Sequence, residues 1–298
     1  MQSETKTNRS LRIVQSDPIS PSPLFRLLSL VCFFAYCAVF PGSTITVALD
    51  AVPSWGLWMG AAMLIVQGLA VIFWALGMYG ARGGVAVTLA AVLAWSVEHI
   101  GETTGWPFGR YQYTEMLQPQ ILGIVPVPIT LAWLMAGFGS WQLARLALGA
   151  RGGRLGLAAL TGVLIVVLDL QIETVATFIN SYWTWIDTGP YYQVPPQNFV
   201  AWGGVGFLMA LIVTLLLPPG AGVEPVTAPS ASKLSLWVRV LPFVWHRLPA
   251  LLYILSSIFF TAANLARGYP LAGLVGVVFL AVAVWIGATL QRRPPTNG

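Results

Sequence analysis

Charge is what this sequence lacks. Of its 298 residues only 8% are charged and 57% are hydrophobic, whereas an ordinary soluble domain is about a quarter charged. That scarcity excludes a water-soluble fold of this size. Histidine and cysteine are nearly absent as well, with two of each. Cys32 and Cys37 lie five residues apart in one apolar run and do not face each other as a disulfide pair, so they read as small buried hydrophobes. His246 sits in a basic, aromatic stretch and reads as a headgroup-facing or solvated side chain. Carboxylates number only ten, which makes the position of each one informative.

What the chain does have is apolar runs long enough to cross about 30 Å of hydrocarbon. Spans are predicted at 24–40, 55–79, 84–100, 121–148, 155–181, 198–217, 249–266 and 270–290. The fold class is therefore an all-α polytopic transmembrane bundle of about eight helices. Lys and Arg favour cytoplasmic loops, and their positions orient it. With the N-terminus inside, Lys6, Arg9, Arg12, Arg26, Arg82, Arg145, Arg151, Arg154, Lys233, Arg239, Arg247, Arg292 and Arg293 fall on the cytoplasmic side, and only Arg110 and Arg267 fall outside. This split places both termini in the cytoplasm and explains the net charge of +5 without a nucleic-acid partner. Four regions follow: a disordered cytoplasmic tail at 1–23, a six-span catalytic core at 24–217, a linker at 218–248 and two last spans with a short tail at 249–298. Within that linker, L-S-L-W-V-R-V-L-P-F-V-W-H-R is suited to lie along the membrane surface.

Four acids stand out. Glu98 and Glu102 are four apart at the outer end of the third span, and Asp169 and Glu173 are four apart in the outer half of the fifth. That spacing puts each pair on one helix face. Ionisable groups at membrane depth are costly, so they face the protein interior and serve a function or meet a counter-charge. No Lys or Arg in those spans supplies one, so at least one of the four is expected to be a neutral acid and hence a proton donor. A cap or helix-end role is the bland alternative, Glu102 being nearest to water. A di-iron site would need His three residues after Glu on the same face; His99 follows Glu98 directly and points elsewhere, and no metal is expected.

Aromatic residues crowd the same side. W-P-F-G-R-Y-Q-Y follows the third span and W-T-W-I-D-T-G-P-Y-Y follows the fifth, each leading into a Pro-containing span. The two units have the plan of a parallel internal repeat. Singly, these aromatics suit an interfacial belt; beside acids, their faces suit stabilising a cation.

E-H-I-G-E-T-T-G-W-P-F-G-R-Y-Q-Y, then L-G-I-V-P-V-P-I-T-L-A-W, then W-T-W-I-D-T-G-P-Y-Y-Q-V-P-P-Q-N-F-V-A-W resemble the integral-membrane carotenoid hydratases. That family includes the bisanhydrobacterioruberin hydratases of halophiles and the bacterial γ-carotene and lycopene 1,2-hydratases. The resemblance covers roughly residues 90 to 205. It implies cofactor-independent addition of water to the terminal double bond of a carotenoid ψ-end, giving a tertiary alcohol. Family motif positions carried onto this chain are Glu98, Glu102, Gly105, Pro107, Phe108, Gly109, Tyr111, Tyr113, Asp169, Tyr191, Pro195, Asn198, Phe199 and Trp202. The family often has Asp-Pro where this chain has Asp169-Leu170, and Gly where it has Gln193.

Together these readings make Glu98, Glu102, Asp169 and Glu173 the expected catalytic residues, with Asp169 or Glu98 leading as the acid. Glu173 or Glu102 would orient the water. His99, Trp106, Phe108, Tyr111, Tyr113, Trp183, Trp185, Asp187, Tyr191, Tyr192, Asn198 and Trp202 are the expected substrate-binding positions. The carotenoid would reach the site from the bilayer of the cell membrane, the acids facing the extracytoplasmic side. Membrane lipid and a downstream carotenoid glycosyltransferase or desaturase are the implied partners. Two rivals stay open: a proton- or cation-coupled transporter, and a membrane protein that binds carotenoid without changing it.

Overall fold

The computed structural model describes residues 22–149, 152–217 and 236–291. The tail at 1–21, most of the linker, and Lys6, Arg9, Arg12, Arg151, Lys233, Arg292 and Arg293 lie outside the described residues. In chain order the elements are α1 (Pro23–Ala48), a short turn (Ser54–Gly56), α2 (Met59–Tyr79), α3 (Ala81–Thr104), β1 (Tyr111–Tyr113), β2 (Gln120–Ile121), β3 (Val125–Pro126) and α4 (Val127–Leu148). They continue with α5 (Gly153–Thr174), a π-helical turn (Val175–Ile179), β4 (Trp183–Trp185), α6 (Pro196–Leu216), α7 (Leu236–His246), α8 (Leu248–Ala266) and α9 (Pro270–Gln291).

Among the described residues, seven helices are long and apolar enough to cross a membrane: α1, α2, α3, α5, α6, α8 and α9. The remaining long helix, α4, packs against α2, α3, α5, α6 and α8 at the centre of the bundle. It carries Thr130, Gly137, Gly139, Ser140 and Gln142 as buried residues among its large side chains. A helix enclosed by other helices has no lipid to satisfy, so it can carry small and polar residues at its contacts. Trp133, Leu134, Phe138 and Trp141 of α4 are fully buried.

Two boundaries differ from the sequence expectation. The first helix runs on to Ala48 through Pro41; the Thr44 and Thr46 hydroxyls bond the Phe40 and Gly42 carbonyls in the same stretch, one of the ways membrane helices tolerate proline. The fourth helix begins at Val127 and not near 121, because Gln120–Ile121 and Val125–Pro126 pair as a hairpin. Its turn places Leu122 and Gly123 at positive φ. Cys32 and Cys37 are free thiols in α1. Helix α7 packs on α1 and α8, with the Arg26 guanidinium 5.0 Å above the Trp245 ring. The neighbouring His246 is half-buried, and its carbonyl accepts from Gln142 Nε2 at 2.8 Å.

The two aromatic loops expected to correspond in plan pair with each other. β1 and β4 run antiparallel, with Tyr111 opposite Trp185, Gln112 opposite Thr184 and Tyr113 opposite Trp183. At one end of this ribbon the Asp187 carboxylate takes the Arg110 backbone N–H and two guanidinium N–H groups, at 2.8 to 2.9 Å. Those bonds hold Asp187 below the usual carboxylate range.

Candidate active site

Side chains alternate between the faces of a strand, so every second residue of the ribbon points the same way. Gln112 and Thr184 are exposed, while Tyr111 and Trp183 are buried and Tyr113 and Trp185 are half-buried on the other face. Four aromatic hydrogen-bond donors are thereby delivered to one place. The Tyr111 and Tyr113 hydroxyls donate to Glu98 Oε2 at 2.7 and 2.6 Å. The Trp183 and Trp185 indoles donate to Glu173 Oε2 at 3.3 and 2.9 Å.

Glu98 has a third donor, Trp133 Nε1, at 2.7 Å from Oε1. Burial, and next to it the Glu98 carboxylate, pushes both phenols well above their usual range. They therefore keep their protons and act as donors. The rings reach α3 because position 101 is glycine: a Cβ there would stand 2.6 Å from Phe108 Cδ2 and 3.0 Å from the Tyr111 hydroxyl.

On α5 the helical spacing holds as expected. Asp169 and Glu173 share one face, at 0% and 1% exposure, and Asn198 from the first turn of α6 spans them. Its single amide nitrogen donates to Asp169 Oδ2 and to Glu173 Oε1, both at 2.9 Å. Asp169 Oδ1 is buried with no hydrogen-bond partner. The π-helical turn begins two residues after Glu173, an irregularity that frequently occurs at functional sites.

A cavity of about 840 Å³ opens beside these groups, toward the upper end of the ~300–1,000 Å³ common for small-molecule sites. Glu98, Glu173, Asn198, Phe108, Tyr111, Tyr113, Trp133, Trp183, Trp185 and Trp202 line it. Trp202 stacks on Trp133 with ring centroids 3.9 Å apart. The rest of the wall is mainly apolar, from Val39, Leu64, Met135, Ile172, Phe259 and Phe260, and the rim carries Asp50, Trp55 and Arg267. Phe259 and Phe260 belong to α8, so a span beyond the linker contributes to the chamber.

The structure does not bring all the expected residues to the cavity. Asp169 stands behind Asn198, out of the chamber wall. Glu102 is half-buried one turn beyond Glu98. His99 stacks on Trp95 with ring centroids 5.1 Å apart, and Trp106 is exposed. Tyr191 donates to the Leu170 carbonyl and the Tyr192 hydroxyl accepts from the Leu271 N–H; both tie the second loop to neighbouring helices. Asp187 closes the ribbon. Trp133 was absent from the expected set, although it ends the second family-like motif.

The two ion pairs found among the described residues, Arg110–Asp187 and Arg267–Asp50, involve the two cations expected outside. Neither involves Glu98, Asp169 or Glu173. No group of three or more His, Cys, Asp or Glu side chains among the described residues is placed to hold a metal ion. The arrangement is two acids, each surrounded by donors, facing one apolar chamber with aromatic walls. Such a chamber can pass a proton to an apolar molecule and shelter the cation that results.

Comparison with known proteins gives the setting. A bisanhydrobacterioruberin hydratase of Haloarcula japonica is 30% identical over 132 residues, covering 43% of this chain and 44% of that protein. The chain therefore matches less than half of that relative's length. No solved structure is similar at a significant level. The family model described as "Carotenoid biosynthesis protein" matches residues 59–283, which takes in Glu98, Asp169 and Glu173 and all the helices from α2 to α8, and this membrane protein belongs to that carotenoid biosynthesis family.

Proposed function

We propose that the chain is a carotenoid hydratase that adds water to the terminal C=C of a ψ-end, the substrate being of the lycopene, γ-carotene or bisanhydrobacterioruberin type. The observation that carries this reading is the placement of Glu98 and Glu173, from two different helices, on one apolar, aromatic-walled cavity.

In this mechanism the Glu173 carboxyl, in its protonated form, gives its proton to the less substituted alkene carbon. The π electrons form the new C–H bond and leave a tertiary cation, which the aromatic faces and the Glu98 carboxylate stabilise. A water oxygen then bonds to the cationic carbon, and Glu98 accepts the proton that water releases. The proton Glu173 gives is matched by the one Glu98 takes, and its return from Glu98 to Glu173 through solvent resets the pair, so the sum is addition of H₂O without oxidation or reduction. Asp169 does not touch the chamber; Asn198, which donates to both carboxyls, links it to Glu173 and makes it a positioning residue for the acid. The assignment moves the leading acid from Asp169 or Glu98 to Glu173, because Asp169 does not reach the alkene and Glu98, with three donors on its oxygens, suits the carboxylate that receives the proton.

The carotenoid enters from the bilayer of the cell membrane, and the carboxylate end of the bundle faces the extracytoplasmic side, a reading supported by the distribution of Lys and Arg. A carotenoid glycosyltransferase or desaturase acting on the resulting alcohol is the partner this reading expects.

The test is expression in a bacterium that accumulates lycopene or γ-carotene, followed by chromatography and mass spectrometry of the pigments. A product heavier by one water is expected, and it should vanish with Glu173→Gln and with Glu98→Gln while the protein stays inserted. Unchanged pigments, with several ψ-end carotenoids supplied to a folded protein, would move carotenoid binding without catalysis or transport to the front.

A further inference from the structure

The cavity has a second polar feature that the carboxylate chemistry does not use. Tyr36 of α1, Gln67 of α2 and Ser256 of α8 all line it, and each is only 3% exposed. Gln67 Nε2 donates to Ser256 Oγ at 3.0 Å, and the Tyr36 hydroxyl stands against both. The Ser256 hydroxyl in turn faces the Met135 thioether at 3.9 Å, a weak acceptor. A primary amide offers two N–H donors and a carbonyl, and each hydroxyl both gives and accepts. Three such side chains turned into an otherwise apolar chamber have hydrogen-bonding capacity beyond what they spend on one another. Leaving it unused in a low-dielectric site is costly.

Position suggests what uses it. Gln67 is eight residues into α2 from Met59, Ser256 ten residues before the end of α8, and Tyr36 twelve before the end of α1. At about 1.5 Å per residue the three lie roughly 12–18 Å below those helix ends. Glu98 and Glu173 each lie six residues below the ends of their helical segments at Thr104 and Ile179, or about 9 Å. The polar trio is thus roughly one turn deeper than the acids. A ψ-end entering past the rim leads with the carbon that becomes the tertiary centre, so an oxygen on that carbon points ahead of the polyene, toward the trio. None of the three side chains carries a formal charge, so the group they suit is neutral and both donates and accepts.

Building on the hydratase reading, we propose that Tyr36, Gln67 and Ser256 form a hydroxyl-binding subsite at the inner end of the cavity. It holds one oxygen, supplied either by the water about to react or by a hydroxyl already carried near the substrate's end.

The experiment compares binding and turnover in wild type and in Gln67→Leu, Ser256→Ala and Tyr36→Phe. Binding is read by the absorption shift of two probes in detergent: an acyclic ψ-end carotene, and the same carotene with a tertiary hydroxyl at one end. A Glu98→Gln background blocks turnover. Wild-type affinity should favour the alcohol by about tenfold, the worth of a hydrogen bond or two. In each variant the ratio should fall toward one while carotene affinity and the thermal midpoint are retained. Turnover separates the two sources. If the variants lower kcat on a hydroxyl-free carotene, the oxygen held is water; if they only raise KM for a hydroxylated substrate, it is the substrate's own. A wild type that binds both probes equally, or variants that lose both probes together with their thermal midpoint, would overturn the subsite and leave these residues as helix-to-helix contacts. Because binding is measured without turnover, a failed hydratase assay would not by itself decide it.

Discussion

Tyr113 and Trp183 stand opposite each other on paired strands and serve different carboxylates, Tyr113 donating to Glu98 and Trp183 to Glu173. The backbone pairing of two short segments therefore couples the surroundings of two acids from different helices. A shift of one strand by one residue would turn that strand's two aromatic donors to the exposed face and leave one acid without them.

Removing one donor at a time should weaken each acid separately. Tyr113→Phe takes a hydroxyl from Glu98, and Trp185→Phe takes an indole N–H from Glu173. A hydrogen bond to a charged group is worth about 1.5–3 kcal/mol, and Glu173 takes on that charge as its proton leaves, so each variant should lose about ten- to a hundredfold in rate. Alcohol formed per minute in membranes, normalised to inserted protein, measures this; unchanged rates in both would dissociate the ribbon from the chemistry.

Asn198 is the bridge between Asp169 and Glu173, and Asn198→Leu is expected to be severe. Two buried carboxyls lose their shared donor at once, which costs about 1–3 kcal/mol for each group left unsatisfied. A lower thermal midpoint in detergent and loss of turnover should appear together. Asn198→Gln, which keeps the amide but displaces it, should recover stability better than rate.

The Arg110–Asp187 pair predicts a pH dependence with a definite sign. Asp187 is held below its ordinary range by Arg110, so the folded state binds its proton less readily than the unfolded chain. The resulting stabilisation is complete above the ordinary Asp value of about 3.9. It is lost as pH falls through the lowered folded value. Asp187→Asn should therefore have a lower thermal midpoint than wild type near neutral pH, with the difference closing in strong acid. A gap that widens on acidification would contradict the assignment.

Gln193 has φ of +63°, in the left-handed region that costs a side-chain-bearing residue about 1–2 kcal/mol. Gln193→Gly should raise the thermal midpoint, by an amount corresponding to about 1 kcal/mol, and leave activity in place. The opposite response is expected of Gly101→Val, whose side chain would meet Phe108 and Tyr111; activity should fall as the Tyr111 hydroxyl is pushed off Glu98.

Much of this was legible in the chain. The apolar runs placed the spans because about 30 Å of hydrocarbon demands that length and composition, and the four-residue spacing of the acids put Asp169 and Glu173 on one helix face. The Y-Q-Y and W-T-W segments also carry the alternation of a strand, with aromatics at every second position. That signal was available for the ribbon, but neither segment alone shows that the other is its partner.

What the sequence by itself determined was local: helix length, the face each acid shares, and the family that its motifs resemble. Tertiary structure decided which acids look into the chamber, because that depends on where α6 sets Asn198 between Asp169 and Glu173. It also recruited Trp133 to Glu98, and brought Gln67 to Ser256 across 189 residues of sequence. Side chains from separate helices meet only through packing, and no periodicity within one helix encodes which neighbour it will meet.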